Sequence, residues 1–316
     1  MLNHIYARKW ILILICIFLF SKEGTAMAIE HLSLVTTPIM LRKGDRVVSQ
    51  GTGFYYVSKD KKHGNIVFLI TNHHVVTGHP PKETKSPIGD NIIFYFHKNN
   101  ENPGDVKEVK FPLFTKEGKP IWLSSKEFPN ADIAVIPIVT ALYDGAEVSA
   151  ISGDWAGGKL KVRTTSPVTL IGYPYGYYDK KNWLPIWKTG NIASEPEIDF
   201  EGEPLFLIDV SAFPGMSGSP AFATADGAYE TVDGPTTVGR VRKFLGIYAS
   251  MQMLEEAKYL EQIPSTAKLG IIDKESLQIG HIWRASLIDD IVKDINVEKY
   301  VEEIILLPIN KHALLS

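Results

Sequence analysis

Ser217 stands between two glycines in "FPGMSGSPAF", residues 213 to 222, at the close of a hydrophobic run. A serine hydroxyl is a weak nucleophile alone. It needs a base to take its proton, an acid to orient that base, and donors for the oxyanion that forms on attack. The stretch "FLITNHHVV" places His73 and His74 where the apolar run Phe68 to Ile70 ends, so either ring could enter a cleft at a strand end. In "NADIAVIPI", Asp132 directly precedes Ile133, Ala134 and Val135. A carboxylate at the edge of such a strand must be paired or hydrogen-bonded if it is buried. A histidine N–H is a suitable partner, and the three residue types together could pass a proton while serine attacks a carbonyl.

Two other chemistries fit less well. The nucleophile turn of the α/β-hydrolases is G-x-S-x-G with the chain order serine, acid, histidine. Here the fifth position is Ser219, and after Ser217 only His281, inside an apparent strand, and His312, in the tail, remain. His63, His73, His74 and His79 lie close in sequence, yet no HExxH or comparable carboxylate spacing accompanies them, so no metal and no cofactor is expected.

The elements that must position these groups are short, β-rich runs separated by Gly, Pro, Asn and Asp. "GTGFYYVS" (51 to 58), "KDKKHG" and "NIVFLIT" (65 to 71) predict a hairpin with a polar tip. Further strands are predicted at 91 to 97, 132 to 138, 168 to 174, 190 to 194, 204 to 211, 218 to 224, 243 to 250 and 277 to 285. Helices between them are missing, which favours barrels or sandwiches over a parallel sheet. The polar stretch 144 to 159 divides the strands into comparable halves and reads as a connection between two barrels. Helices are expected at "MLEEAKYLEQI" (253 to 263) and "ASLIDDIVKDI" (285 to 295). The aromatic-rich segment 172 to 187 reads equally as a ligand surface or as a loop folded over its own rings.

Composition sets outer limits. The chain of 316 residues is 45% hydrophobic and 22% charged, enough for a substantial core and incompatible with a disordered or collagen-like chain. Arg8 and Lys9 precede the apolar run Trp10 to Phe20, and "TAMA" (25 to 28) has the small-x-small form of a cleavage site. That is a signal-peptide pattern, and the apolar run is shorter than the roughly 20 residues of a membrane span. The only cysteine, Cys16, falls within it, so the chain after residue 28 forms no disulfide. Removing the leader's three basic residues and one acidic residue changes the net charge from −3 to −5, which argues against nucleic acid as a partner. The expected location is the periplasm or the exterior of a bacterium, with no membrane attachment after cleavage. The oligomeric state is not set by the sequence.

The order "GTGFYY", "TNHHV", "DIAV", "GMSGSP" resembles the trypsin-like serine peptidases of the chymotrypsin clan in their bacterial, disulfide-free exported form. "IGYPYG", "KTGNIAS" and "FLGIYAS" look like strands of that family's second barrel, so the resemblance covers about residues 33 to 295. It implies an all-β fold of two six-stranded antiparallel barrels with a C-terminal helix. Its organisation would be leader 1–28, a first barrel over 29–150 carrying histidine and aspartate, a second over 151–295 carrying the serine and terminal helix, and a tail 296–316. Alignment of Thr71 to His74 with the family's Thr-x-x-His selects His74 as base, with Asp132 as its orienting acid and Ser217 as nucleophile. Backbone N–H groups of Gly215 and Ser217 would form the oxyanion hole. The substrate pocket would be lined by Ser211, Ala212, Phe213, Tyr248, Ala249 and Ser250.

The resemblance implies a polypeptide substrate and an acyl-enzyme mechanism; a catalytically silent scaffold used for binding is the alternative. The pocket residues carry no charge for selecting lysine or arginine. Tyr248 stands where glutamate-cutting relatives carry histidine, which leaves an uncharged side chain of small or medium size as the expected preference. Animal digestive relatives carry an aspartate before the serine, which captures a new N-terminal ammonium. Met216 occupies that position here, so the loop is expected to form without such cleavage.

Overall fold

The computed structural model describes residues 29–99, 102–259, 270–293, 295–298 and 300. After the short helix α1 (His31–Leu34), six strands form one antiparallel sheet: β1 (Thr36–Lys43), β2 (Arg46–Asp60), β3 (Gly64–Thr71), β4 (Asn91–His97), β5 (Val106–Pro112) and β6 (Ala134–Ile138). Their order is β5-β4-β1-β2-β3-β6, and helix α2 (His73–Thr77) follows β3. Six more strands close into an antiparallel barrel in the order β10-β11-β12-β9-β8-β7. These are β7 (Pro167–Gly172), β8 (Ile186–Ile192), β9 (Leu205–Asp209), β10 (Pro220–Glu230), β11 (Thr236–Tyr259) and β12 (Gly270–Arg284), followed by helix α3 (Ser286–Val292). The expectation of an all-β fold with two six-stranded antiparallel barrels and a C-terminal helix agrees in strand number, strand direction and helix; among the described residues the second six strands close into a barrel, while the first six form a sheet whose end strands β5 and β6 do not pair.

The β2–β3 hairpin forms where its tip residues require it. Asp60 Oδ1 accepts the N–H groups of Lys62 (2.8 Å) and His63 (2.7 Å), and Gly64 takes the left-handed conformation that completes the turn. β4, "NIIFYFH", is buried along its whole length: Ile92, Phe94 and Phe96 enter the cluster of the first sheet, while on the other face Tyr95 packs under Trp183 and His97 meets the Pro103 carbonyl. Three apolar clusters result. One fills the first sheet around Ile39, Leu69, Phe94 and Phe111; another fills the barrel around Leu170, Ile208, Met216 and Tyr248. The third, with Phe54, Phe68, Phe222, Phe244 and Trp283, lies between the sheets and takes Leu287, Ile288, Ile291 and Val292 of α3. Tyr56 Oη donates to Asp289 Oδ1 at 2.5 Å and fastens α3 to β2.

One expected element is different. Residues 253 to 259 extend β11 instead of opening a helix, pairing in register from Met253↔Ser276 to Tyr259↔Gly270; residues 260 to 263 lie outside the described residues. The cause is continuation of the β11–β12 hairpin, whose cross-strand ladder overrides a helix propensity that is only a weak preference. Strands β1 and β5 are additions to the sequence reading. β1 carries Pro38, an unfavourable strand residue, at a point where it pairs with β2 only; its ladder to β4 is confined to Met40, Leu41 and Arg42.

Candidate active site

The segments singled out in the sequence meet at Thr52 of β2. Its N–H donates to the Ser217 carbonyl (2.8 Å), and its hydroxyl donates to the Gly215 carbonyl (2.7 Å) while accepting the Tyr173 N–H (3.0 Å). Its own carbonyl accepts the Thr71 hydroxyl (2.7 Å) at the end of β3. Beside it, Gly51 has no room for a side chain. A Cβ there would lie 2.6 Å from Val75 of α2 and 3.3 Å from the Ser217 carbonyl, so β2, α2 and the loop before β10 approach as backbone against backbone and side chain.

β3 ends at Thr71, Asn72 is extended (φ −85°, ψ 152°), and the chain turns into α2 at His73. Helix α2 stops after one turn because Gly78 adopts φ +82° and returns its N–H to the His74 carbonyl. Asp132, only 8% exposed, gives both carboxylate oxygens to His74: Oδ1 accepts the backbone N–H (3.0 Å) and Oδ2 accepts Nδ1–H (2.5 Å). An ionised carboxylate can only accept, so Nδ1 carries the proton and Nε2 keeps its lone pair in the neutral ring. Asn72 Nδ2 donates to the Asp132 carbonyl at 2.5 Å and holds the aspartate's backbone from below. His73 turns elsewhere: its Nδ1 lies 3.2 Å from the His79 carbonyl and its ring sits edge-on to Trp122. Burial lowers the His73 pKa from its ordinary value.

The loop carrying Ser217 is anchored by Met216, fully buried in the barrel core, and by hydrogen bonds from Gly218 N to Tyr248 O (2.8 Å) and from Tyr248 N to Ser219 O (2.9 Å). Gly215 (φ +93°) and Gly218 (φ +89°) are both left-handed, and a Cβ on Gly218 would fall 1.9 Å from the Thr52 carbonyl. The Ser217 hydroxyl donates to the Ala249 carbonyl of β11 at 2.8 Å. In this arrangement it faces β11, not the His74 ring. Among the described residues no acceptor takes the N–H of Gly215 or Ser217.

Of the expected pocket residues, Ser211 and Ser250 are exposed, Ala212, Tyr248 and Ala249 are buried, and Phe213 is 41% exposed. The Tyr248 ring packs where a Gly280 side chain would stand, and burial pushes its phenol pKa up. Ala249 and Ser250 line a cleft of about 230 Å³ together with Asp132, Glu201, His281 and Trp283. Among the described residues no group of three or more His, Cys, Asp or Glu is arranged to hold a metal ion. The aromatic segment divides: Tyr173, Tyr178 and Trp183 pack on one another and on Tyr95, while Tyr175 and Tyr177 stand 70% and 73% exposed. Thr52, Asn72 and Tyr175 went unassigned in the sequence. For Thr52 the signal was present, since a threonine between Gly51 and Gly53 marks close backbone approach.

The family model described as trypsin-like peptidase domain matches residues 51–229, more than half of the chain. Among solved structures, the serine endoprotease from Yersinia pestis is 14% identical over 85% of this chain and 64% of that one, with a TM-score of 0.42. The chain thus spans a little under two thirds of that protein's length. The thermostable serine protease AL20 from an extremophilic microorganism is 12% identical, over 83% and 97% of the two chains, with a TM-score of 0.42. An inactivated protease paralogue of the scabies mite is 17% identical, over 84% and 97%, with a TM-score of 0.38. No curated protein sequence matches the chain significantly.

Proposed function

Since the chain belongs to the trypsin-like peptidase family, we propose that it is an exported serine endopeptidase in which Ser217, His74 and Asp132 act as nucleophile, base and orienting acid. The observation that carries this reading is the double engagement of Asp132 with His74, through backbone N–H and Nδ1–H, which leaves Nε2 as a free base. In the reaction the Ser217 hydroxyl leaves the Ala249 carbonyl by rotation about its χ1 bond and turns to Nε2. Oγ attacks the peptide carbonyl carbon as its proton passes to Nε2, and Asp132 stabilises the imidazolium. The carbonyl electron pair moves onto oxygen, where the unpartnered N–H groups of Gly215 and Ser217 receive it. Nε2 then returns the proton to the leaving amine as the C–N bond breaks. Water then attacks the acyl carbon while giving a proton to Nε2, and that proton passes to Ser217 Oγ as the ester bond breaks and the carboxylic acid product leaves.

The substrate in this reading is a polypeptide outside the cytoplasm, cut after an uncharged residue of small or medium size. Residues 1–28 act as a cleaved leader, so the exported chain begins at Ile29, which N-terminal sequencing of exported material tests. A second reading, a silent scaffold that binds without cutting, is favoured by the Ser217 hydroxyl's bond to Ala249. Incubation with an unfolded protein and mass analysis of the products separates the two. Internal cleavage that is absent from Ser217→Ala supports the peptidase. An intact partner retained by the folded wild-type chain supports the scaffold.

A further inference from the structure

The peptide unit between Pro214 and Gly215 has two orientations available, because Gly215 has no side chain to restrict it. In one, the Gly215 N–H points toward the reacting carbonyl. Rotation of the unit puts the Pro214 carbonyl oxygen there instead, since N–H and C=O of a trans peptide point in opposite directions. An oxygen at that place would repel the oxyanion, so something must hold the first orientation. The residue before the serine is Met216, buried and apolar, and supplies no charge for the task.

The structure places a different group there. The Tyr175 N–H donates to the Pro214 carbonyl at 2.6 Å, while the Thr52 hydroxyl holds the following carbonyl, that of Gly215. Both ends of the Gly215 residue are therefore pinned. Tyr175 reaches this position only by adopting φ 51° and ψ 22°, a left-handed conformation that a non-glycine residue rarely takes. Its side chain does not bury itself in return: the residue is 70% exposed, and its ring stacks at a tilt on Phe213, itself 41% exposed, with centroids 5.8 Å apart. Strain of this kind, held at a site where one N–H is aimed at one carbonyl, points to function. Gly215 fits equally closely from its side, because a Cβ there would lie 2.6 Å from the Tyr173 carbonyl and 2.8 Å from the Tyr175 nitrogen.

We infer that the backbone N–H of Tyr175 is the positioning group that keeps the Pro214–Gly215 peptide turned for oxyanion binding. The inference rests on the peptidase reading above. Three variants test it. Tyr175→Val keeps a side chain but disfavours the left-handed conformation. Tyr175→Gly adopts that conformation freely and retains the N–H. Replacement of Tyr175 by its α-hydroxy acid leaves an ester that has no N–H.

The valine and ester variants are expected to lose about ten- to a hundredfold in kcat with KM changed less than threefold, a fraction of the loss on deleting an oxyanion donor. Their affinity for a peptide aldehyde, which mimics the tetrahedral state, should fall in parallel, and glycine should restore both to within threefold of wild type. A purely structural role would not make aldehyde affinity follow kcat at constant KM. Wild-type kcat and aldehyde affinity in the ester variant would overturn the inference while leaving the peptidase reading intact. Glycine as slow as valine would also overturn it, assigning the effect to the ring contact with Phe213. A folded wild-type chain that neither cleaves peptides nor reacts with a fluorophosphonate would end both.

Discussion

Thr52 of the first sheet and Ser217 of the loop that enters the second barrel are joined backbone to backbone, the Thr52 N–H donating to the Ser217 carbonyl at 2.8 Å. That bond spans the boundary between the two sheets. It fixes the nucleophile relative to the strand whose neighbour, β3, leads directly into His74.

Thr52→Val preserves shape and removes the hydroxyl that serves Gly215 and Tyr173. The buried Tyr173 N–H loses its partner, which costs about 1–3 kcal/mol when unsatisfied, and the part-buried Gly215 carbonyl loses its own at a smaller cost. The urea midpoint should fall, and reaction with a fluorophosphonate should slow more than the stability loss explains, because the oxyanion loop is released. An unchanged reaction rate would show that the loop is held without Thr52.

Asp132→Asn retains volume but presents a donor or a weaker acceptor to His74 Nδ1–H, so the imidazole is free to take the other tautomer. Peptide cleavage should drop about 10⁴-fold in kcat with little change in unfolding midpoint. Steady-state kinetics beside a melting curve checks both halves.

Gly218→Ala forces a Cβ to within 1.9 Å of the Thr52 carbonyl at φ +89°, whereas Gly118→Ala, also left-handed (φ +77°), meets nothing within 4 Å. The second change should cost only the conformational term, about 1–2 kcal/mol. The first should cost more and abolish labelling of Ser217, since backbone must move to admit the methyl group. Thermal melts of the two variants give the comparison.

His97 is buried in β4 with its Nδ1 2.8 Å from the Pro103 carbonyl, and burial lowers its pKa below the ordinary 6.5. Between its folded and unfolded values the unfolded chain binds the extra proton. Its contribution to stability is present above about pH 6.5 and is lost as pH falls through the folded value. The melting temperature should therefore fall on acidification below pH 6.5, less steeply in His97→Gln. His73, also lowered by burial, retains part of the slope in the variant. An identical slope in both proteins would contradict the assignment to His97.

Much of the architecture was legible because burial and turn chemistry agree locally. "NIIFYFH" is a strand from its first residue to its last, and Asp60 with Gly64 closes the hairpin where "KDKKHG" placed a polar tip. Residues 253 to 259 misled because their helix-forming composition is weak against a hairpin ladder whose partner lies across the turn. Within the site, Asp132 and the pair His73 and His74 were recognisable as residue types at strand ends, and the family resemblance singled out His74. What holds the site was not: Asn72 acts on Asp132 through its carbonyl and the Tyr175 N–H acts on the Pro214 carbonyl of the serine loop, and neither contact leaves a mark in side-chain pattern. The direction of the Ser217 hydroxyl likewise depends on a carbonyl 32 residues away.

The account depends most directly on Ser217 being made nucleophilic by His74. Reaction of the folded chain with a fluorophosphonate, followed by mass mapping of the adduct, measures that. A single adduct on Ser217, formed in the wild-type chain and lost in His74→Ala, is the predicted result. An unmodified chain, an adduct on another residue, or equal labelling of Ser217 without the histidine would contradict it.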